Sequence, residues 1–142
     1  MDEGGVFFED LGEGEQAPAR SHRLTRTDLV RYAGASHDFN PMHHDEVKAQ
    51  AAGMRSVFAH GMFTAGFLAT ALTDFVGIGN LRGYKVRFTE QAWPDDTLTT
   101  EITVRGKDEA THLVELDCRV VTEKGAVVLT GSAVAAPRRR SA

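Results

Sequence analysis

Between Val57 and Gly79 the chain carries Met62, Phe63, Ala65, Phe67, Leu68, Ala69, Ala71, Leu72, Phe75 and Val76, and after Gly79 the apolar spacing switches from helical to alternating. That switch constrains the fold more than any other feature. A helix that is apolar on nearly every side has to be wrapped by the rest of its own domain. The material available for wrapping is the set of alternating segments that follows. A membrane span is the competing reading of such a run. Asp74, three threonines and several glycines interrupt it, and basic flanking anchors are lacking, so a wrapped helix is expected.

The downstream segments read as four strands. Tyr84, Val86 and Phe88 alternate with Lys85, Arg87 and Thr89; Leu98, Ile102 and Val104 share one face; Val114, Leu116, Cys118 and Val120 oppose Glu115, Asp117 and Arg119. Pro94-Asp95-Asp96, Gly106-Lys107-Asp108 and Glu123-Lys124-Gly125 supply the turns. The last run, Ala126–Ala136, is apolar on both faces, which predicts a strand covered on both sides. Short connections make neighbouring strands antiparallel. The expected architecture is therefore α+β: helices first, then a four-stranded meander whose concave face buries one helix completely. Cys118 falls on the packed face, as ordinary core.

Upstream, residues 1–18 are Gly- and Glu-rich and read as an extended opening segment, with an apolar cluster at Val6-Phe7-Phe8 and room for a short strand over Ala19–Leu24. Thr25 opens a helix: it can cap, Asp28 stands at the capping-box position, and Leu24 with Leu29 fits the hydrophobic staple. Gly34 is the expected stop. Asp45 then caps a second short helix, Glu46–Ala52, closed by Gly53. Residues 137–142, with Arg138-Arg139-Arg140, read as a frayed, solvated tail. The whole chain, 1–142, reads as a single domain without repeat or linker.

Between those two helices lies His37-Asp38-Phe39-Asn40-Pro41-Met42-His43-His44-Asp45, answered by His60-Gly61-Met62. Asn40-Pro41 is a turn signal, so Asp38 and His43 are expected on an irregular loop where side chains can converge on a substrate. A carboxylate beside an imidazole is the equipment for moving protons near neutral pH. A metal site can be drawn from His37, His43, His44 and Asp45, but these lack the separated, one-face spacing of a helical zinc motif, and no metal is expected. Sixteen Lys plus Arg against twenty Asp plus Glu give a net charge of −4. No broad cationic field is available for nucleic acid. The single cysteine and an acidic start, Met1-Asp2-Glu3-Gly4-Gly5, fit a reducing cytoplasm and no signal peptide.

The pattern Asp38-x-Asn40-Pro41-Met42-His43, followed by His60-Gly61-Met62 at the head of an apolar helix and by Pro94-Asp95-Asp96-Thr97-Leu98, resembles the MaoC-like (R)-specific enoyl-thioester hydratases and dehydratases. The resemblance runs from about Thr25 to Ala136. It implies a hot-dog fold, an antiparallel sheet wrapped around a long central helix. It also implies pairing of two such domains, as a homodimer or with a related subunit, with acyl-thioester tunnels near the interface. The implied reaction is reversible hydration of a trans-2-enoyl thioester to the (3R)-hydroxyacyl thioester, in fatty-acid, mycolic-acid or steroid side-chain metabolism. Coenzyme A or acyl carrier protein is then part of the substrate, and no separate cofactor is expected.

On that likeness Asp38 and His43 grip the reacting water. The backbone N–H of Gly61, at the first turn of the buried helix, receives the charge that develops on the thioester oxygen. Asn40, Pro41, His60 and Met62 are supporting positions, with Asn40 shaping the loop. Some members carry a serine where this chain has Ala69; neighbouring Thr70 is the only nearby replacement. Two other functions compete: a non-catalytic acyl-binding subunit that completes a partner's tunnel, and a hot-dog thioesterase. The second would need a carboxylate on the helix, and Asp74 stands near the wrong end of it.

Overall fold

A computed structural model of the chain describes residues 4–140. The residues Met1–Glu3 of the opening segment and Ser141–Ala142 of the tail lie outside the described residues. In chain order the elements are β1 (Ser21–Arg23), α1 (Arg26–Ser36), α2 (Glu46–Ala51), α3 (Gly61–Val76), β2 (Leu81–Phe88), β3 (Thr97–Asp108), β4 (Leu113–Thr122) and β5 (Val127–Ala135), with 3-10 turns at Phe8–Asp10 and Pro41–His43.

The strands form one antiparallel sheet in the order β1-β3-β4-β5-β2, and α3 packs against β2, β3, β4 and β5. The expected meander is therefore corrected. β2 pairs with β5 at one edge rather than with β3, because the stretch from Thr89 to Asp96 passes the head of α3 instead of closing a hairpin. The Ala59 N–H donates to the Ala92 carbonyl at 2.9 Å along that path. The short early strand forms and adds β1 beside β3.

The inward rows are those that alternation marks out. Ile102 stands opposite Cys118 and Val104 opposite Leu116, all buried, while Glu101 opposite Arg119 forms an ion pair on the outer face. β5 alternates in burial rather than being covered on both sides. Thr130 and Ser132 on its outward row are partly exposed and polar, whereas Val128, beside the irregularity in the β4 pairing, is buried along with Leu129.

α3 is not enclosed all round either. Leu68, Leu72 and Val76 face the sheet with no exposure, whereas Gly61, Met62, Gly66, Thr70 and Asp74 lie on an open side. One sheet covers one side of a helix, and on the other side Met62 is the large apolar residue left exposed. Among the described residues no helix is long and apolar enough to cross a membrane.

Thr25 caps α1 as expected, with the capping box to Asp28 complete. The helix runs past Gly34, however, and ends where His37 takes a left-handed conformation (φ 60°). The hydroxyl of Ser36 donates to the Tyr32 carbonyl, which holds the last turn. Asp45 caps α2 through the Lys48 N–H at 3.1 Å.

The two ends of the described chain are tied together. Phe8 and Leu11 are buried, Phe7 bridges Arg138, and the Arg140 guanidinium grips Asp10 at 2.7 and 2.8 Å. Arg138–Arg140 are thus docked rather than frayed. Arg138 donates to the Gly5 carbonyl at 3.0 Å, Arg139 pairs with Glu9 and Arg140 with Asp10, all partners from the far end of the chain.

Candidate active site

The loop between α1 and α2 is built by its own side chains. Asn40 accepts the Met42 N–H at 3.1 Å and so caps the 3-10 turn, with Pro41 at its first position, where no donor is lost. Asp38 accepts the Asn40 N–H at 3.2 Å through Oδ1, leaving Oδ2 free to face inward. His43, at the end of the turn, is 8% exposed.

Two histidine contacts join this loop to the head of α3. His43 Nδ1 lies 2.7 Å from the Phe58 carbonyl. A carbonyl only accepts, so Nδ1 carries the proton and Nε2 presents a bare lone pair. His60, the residue before α3, places Nε2 3.0 Å from the Asp38 carbonyl, which makes Nε2 its protonated nitrogen. The rings of His43 and His60 stack at 3.8 Å with an interplanar angle of 26°, and Tyr32 packs on the far side of His60 at 4.8 Å.

The result is a cluster at one end of the helix. Asp38 Oδ2 stands 3.8 Å from His43 Nε2 and 4.0 Å from His60 Nε2. The first distance is too long for a direct hydrogen bond and suits two acceptors that share a water. Burial pushes the His43 imidazole below the ordinary histidine range. The Phe58 hydrogen bond and the Asp38 carboxylate pull it back up, while His60 and His44 push it further down. The balance favours the neutral imidazole over the cation.

Asp38, His43 and His60 bring ligand-type atoms within 4.8 Å of one another, and they differ from the set drawn from the sequence. His44 turns to the Phe39 carbonyl, and Asp45 is engaged in capping α2. His60 Nε2 is protonated toward the Asp38 carbonyl and His43 offers a single bare nitrogen beside the carboxylate, so the donor set matches a water better than a cation.

The helix head completes the arrangement. α3 has no side-chain cap, because His60 is aimed at Asp38 instead. The Phe63 N–H turns to the His60 carbonyl at 3.0 Å, and the Gly61 and Met62 amides before it are left for another acceptor, at the positive end of the helix dipole. Gly61 and Thr64 line a cleft of about 280 Å³ together with Phe58, Phe88, Glu90 and Gln91. On the other flank of α3 lies a more open groove of about 510 Å³ with Tyr32, Phe63 and Phe67 among its walls.

The remaining expected positions sort by distance from this point. Met62 is 62% exposed on the open side of α3. His37 packs edge-on against Phe39 at 6.2 Å and closes α1. Thr70 donates its hydroxyl to the Gly66 carbonyl at 2.9 Å on the exposed side. Asp74 is ion-paired with Arg20 at 2.9 Å, close to the far end of the helix. Three participants carry no signal in the motif: the Phe58 carbonyl that fixes the His43 tautomer, Tyr32 behind His60, and Phe88 over Gly61. The Phe58 group is backbone, and the two aromatics read simply as core.

The profile of the MaoC like domain matches residues 11–125. The chain is 33% identical over 129 residues to an (R)-specific enoyl-CoA hydratase of Rhodospirillum rubrum, covering 89% of this chain and 88% of that one. It is 29% identical over 116 residues to an (R)-specific enoyl-CoA hydratase of Aeromonas caviae, covering 80% and 87%. Among solved structures it superimposes on the unliganded R-hydratase PhaJ1 of Pseudomonas aeruginosa with a TM-score of 0.88 at 26% identity, covering 96% of this chain and 88% of that one.

Proposed function

From the premise that this chain belongs to the MaoC-like family, we propose how it works as a hydro-lyase that reversibly adds water to a trans-2-enoyl thioester. Hydration places hydroxyl on C3 and a proton on C2, and negative charge builds on the thioester oxygen in between. One observation carries the assignment: Asp38 Oδ2 and the bare Nε2 of His43 stand 3.8 Å apart at the uncapped head of α3.

A water that donates one O–H to each of these acceptors has its oxygen lone pairs turned away from both, toward C3. As the C3–O bond forms, one acceptor takes the proton and the other holds the orientation; the proton then passes to C2. The Gly61 N–H receives the charge on the thioester oxygen, and losing one such donor costs about 3–4 kcal/mol in a well-studied case. Asn40 and Pro41 hold the loop, and His60 ties the Asp38 backbone to the helix, so that base and oxyanion donor keep a fixed separation. No cofactor enters this scheme; coenzyme A or a carrier protein arrives with the acyl group.

The open side of α3 and the edge strand β2 support a partner. Met62 and Phe88 are 62% and 50% exposed there. A second copy, or a related hot-dog subunit, docked on this edge would cover them and enclose the acyl chain. The single buried cysteine fits work in a reducing cytoplasm.

The test is direct. The purified protein is mixed with crotonyl-CoA and with longer enoyl-CoA substrates, the enoyl-thioester absorbance is followed, and the configuration of the product at C3 is determined. Loss of the band with a (3R) product is expected. Binding without turnover, with activity appearing only beside a second subunit, would instead identify a non-catalytic half. Thiol release from a saturated acyl-CoA would identify a thioesterase.

A further inference from the structure

Phe88 is the last residue of β2, at the edge of the sheet, and is half exposed although its row of the strand faces inward. Its ring has a definite seat. A Cβ placed on Gly61 would lie 3.1 Å from Cε1 and 3.2 Å from Cδ1 and Cζ of Phe88. The ring therefore rests flush on the α-carbon of the residue whose amide opens α3. Four residues earlier in the same row, the Tyr84 hydroxyl donates to the Ala65 carbonyl at 2.8 Å. The strand is thus fastened to the first turns of the helix at two points, Tyr84 on Ala65 and Phe88 on Gly61.

From this contact we infer that Phe88 is a positioning residue of the hydration site: its ring confines the thioester oxygen to the Asp38–His43 side of the α3 head. The inference rests on the hydratase reading above and adds a part to it. The ring stands against the Gly61 α-carbon, and the two residues share a wall of the Phe58–Gln91 cleft. With the ring on that side of the α-carbon, an oxygen accepting from the Gly61 N–H is held to the side the ring leaves open, and His60, the residue before Gly61, reaches the Asp38 carbonyl at 3.0 Å. It also gives residue 61 a second reason to be glycine. Besides leaving room for substrate, it leaves room for the ring, since an aromatic this close to a Cβ would have to give by a few tenths of an ångström.

The test is a double-mutant cycle on the full chain, with Phe88→Ala, Gly61→Ala and the pair, plus Phe88→Tyr as the variant that keeps the ring. Phe88→Ala is expected to lower kcat by between about tenfold and a hundredfold, the scale of a misplacement near 1 Å, with KM changed far less. Phe88→Tyr should recover most of that loss. Gly61→Ala should cost distinctly less in the Phe88→Ala background than in the wild-type protein, because the clash has been removed. Wild-type kcat in Phe88→Ala, or strictly additive losses, overturns the inference.

An NMR measurement without substrate separates its failure from failure of the hydratase reading. The Gly61 Hα signals should be displaced by the ring current of Phe88 and return to ordinary positions in Phe88→Ala, whatever reaction the protein performs. Undisplaced signals in the wild type refute the seat of the ring. Displaced signals in a protein that hydrates no enoyl thioester remove the reaction from the inference while leaving the contact in place.

Discussion

Replacing Asp38 by Asn should abolish most of the hydration while leaving the protein folded, and the structure sets both magnitudes. The asparagine side chain keeps an oxygen for the Asn40 N–H, and the residue 38 carbonyl that accepts from His60 is untouched. With the Asp38 side chain 52% exposed, the expected stability change is within about 0.5 kcal/mol, or about 2 °C in Tm. Removal of one proton-transfer group should cost about 10²–10⁴ in kcat, which is about 3–5 kcal/mol of barrier. His43→Gln, whose amide can still donate to the Phe58 carbonyl, should cost a similar amount. If the two groups acted independently, the double variant would lose the sum of the two. Because both sit within reach of one water, 3.8 Å apart, the double variant should be scarcely worse than the poorer single one. The assay is the decay of enoyl-thioester absorbance in all four proteins, with circular dichroism melts alongside. Additive losses in the double variant, or full activity in either single one, would refute the shared-water arrangement.

Three further outcomes follow from particular contacts. Activity should fall on the acid side only below the ordinary histidine pKa, about 6.5, because burial lowers that of His43 and its Nε2 must be bare to act; an acid limb in the kcat/KM profile above that value contradicts this. The same shift carries a stability term of definite sign. Between its lowered folded pKa and the ordinary value, His43 is protonated only in the unfolded chain, so its contribution is complete above the ordinary value and declines as pH falls through that window. Tyr84→Phe removes the hydroxyl bonded to the Ala65 carbonyl and should cost about 1 kcal/mol, a drop of about 3–4 °C in Tm; an unchanged melt would show that β2 is not fastened to α3 there. Cys118 is 5% exposed and burial pushes its thiol up to about 11, so it should react with a thiol reagent only after denaturation, and rapid labelling of the native protein would place it outside the core.

What could be read from the sequence is what depends on near neighbours. The Thr25–Asp28 capping box and the Asp45 cap each rest on residues one turn apart, and both form. Alternation in β3 and β4 locates their inward rows because a strand has no choice but to alternate. Failures came where distant segments decide. Local pattern gives no sign that the stretch from Thr89 to Asp96 crosses the head of α3 and sends β2 to the far edge. Nor does it show that Arg140 will find Asp10 across nearly the whole chain. Gly34 looked like a stop because glycine commonly ends helices, yet Ser36 and His37 hold one more turn.

The site divides along the same line, and the division explains why the motif has the form it does. Asp38, Asn40, Pro41 and His43 were legible because one short loop carries them, and their local hydrogen bonds shape it. His60 is informative by contrast with the other helix starts. Thr25 and Asp45 turn their side chains onto their own helix amides, whereas His60 turns its ring toward Asp38 and leaves α3 uncapped. A protein selected for helix stability alone would have placed serine, threonine or aspartate there, worth about 1 kcal/mol. The amides left without a capping side chain belong to the helix whose head meets the Asp38–His43 pair. In the proposed hydration mechanism the uncapped helix and the histidine that declines to cap it are therefore one feature: the residue that would free the oxyanion site is also the residue that holds the Asp38 loop.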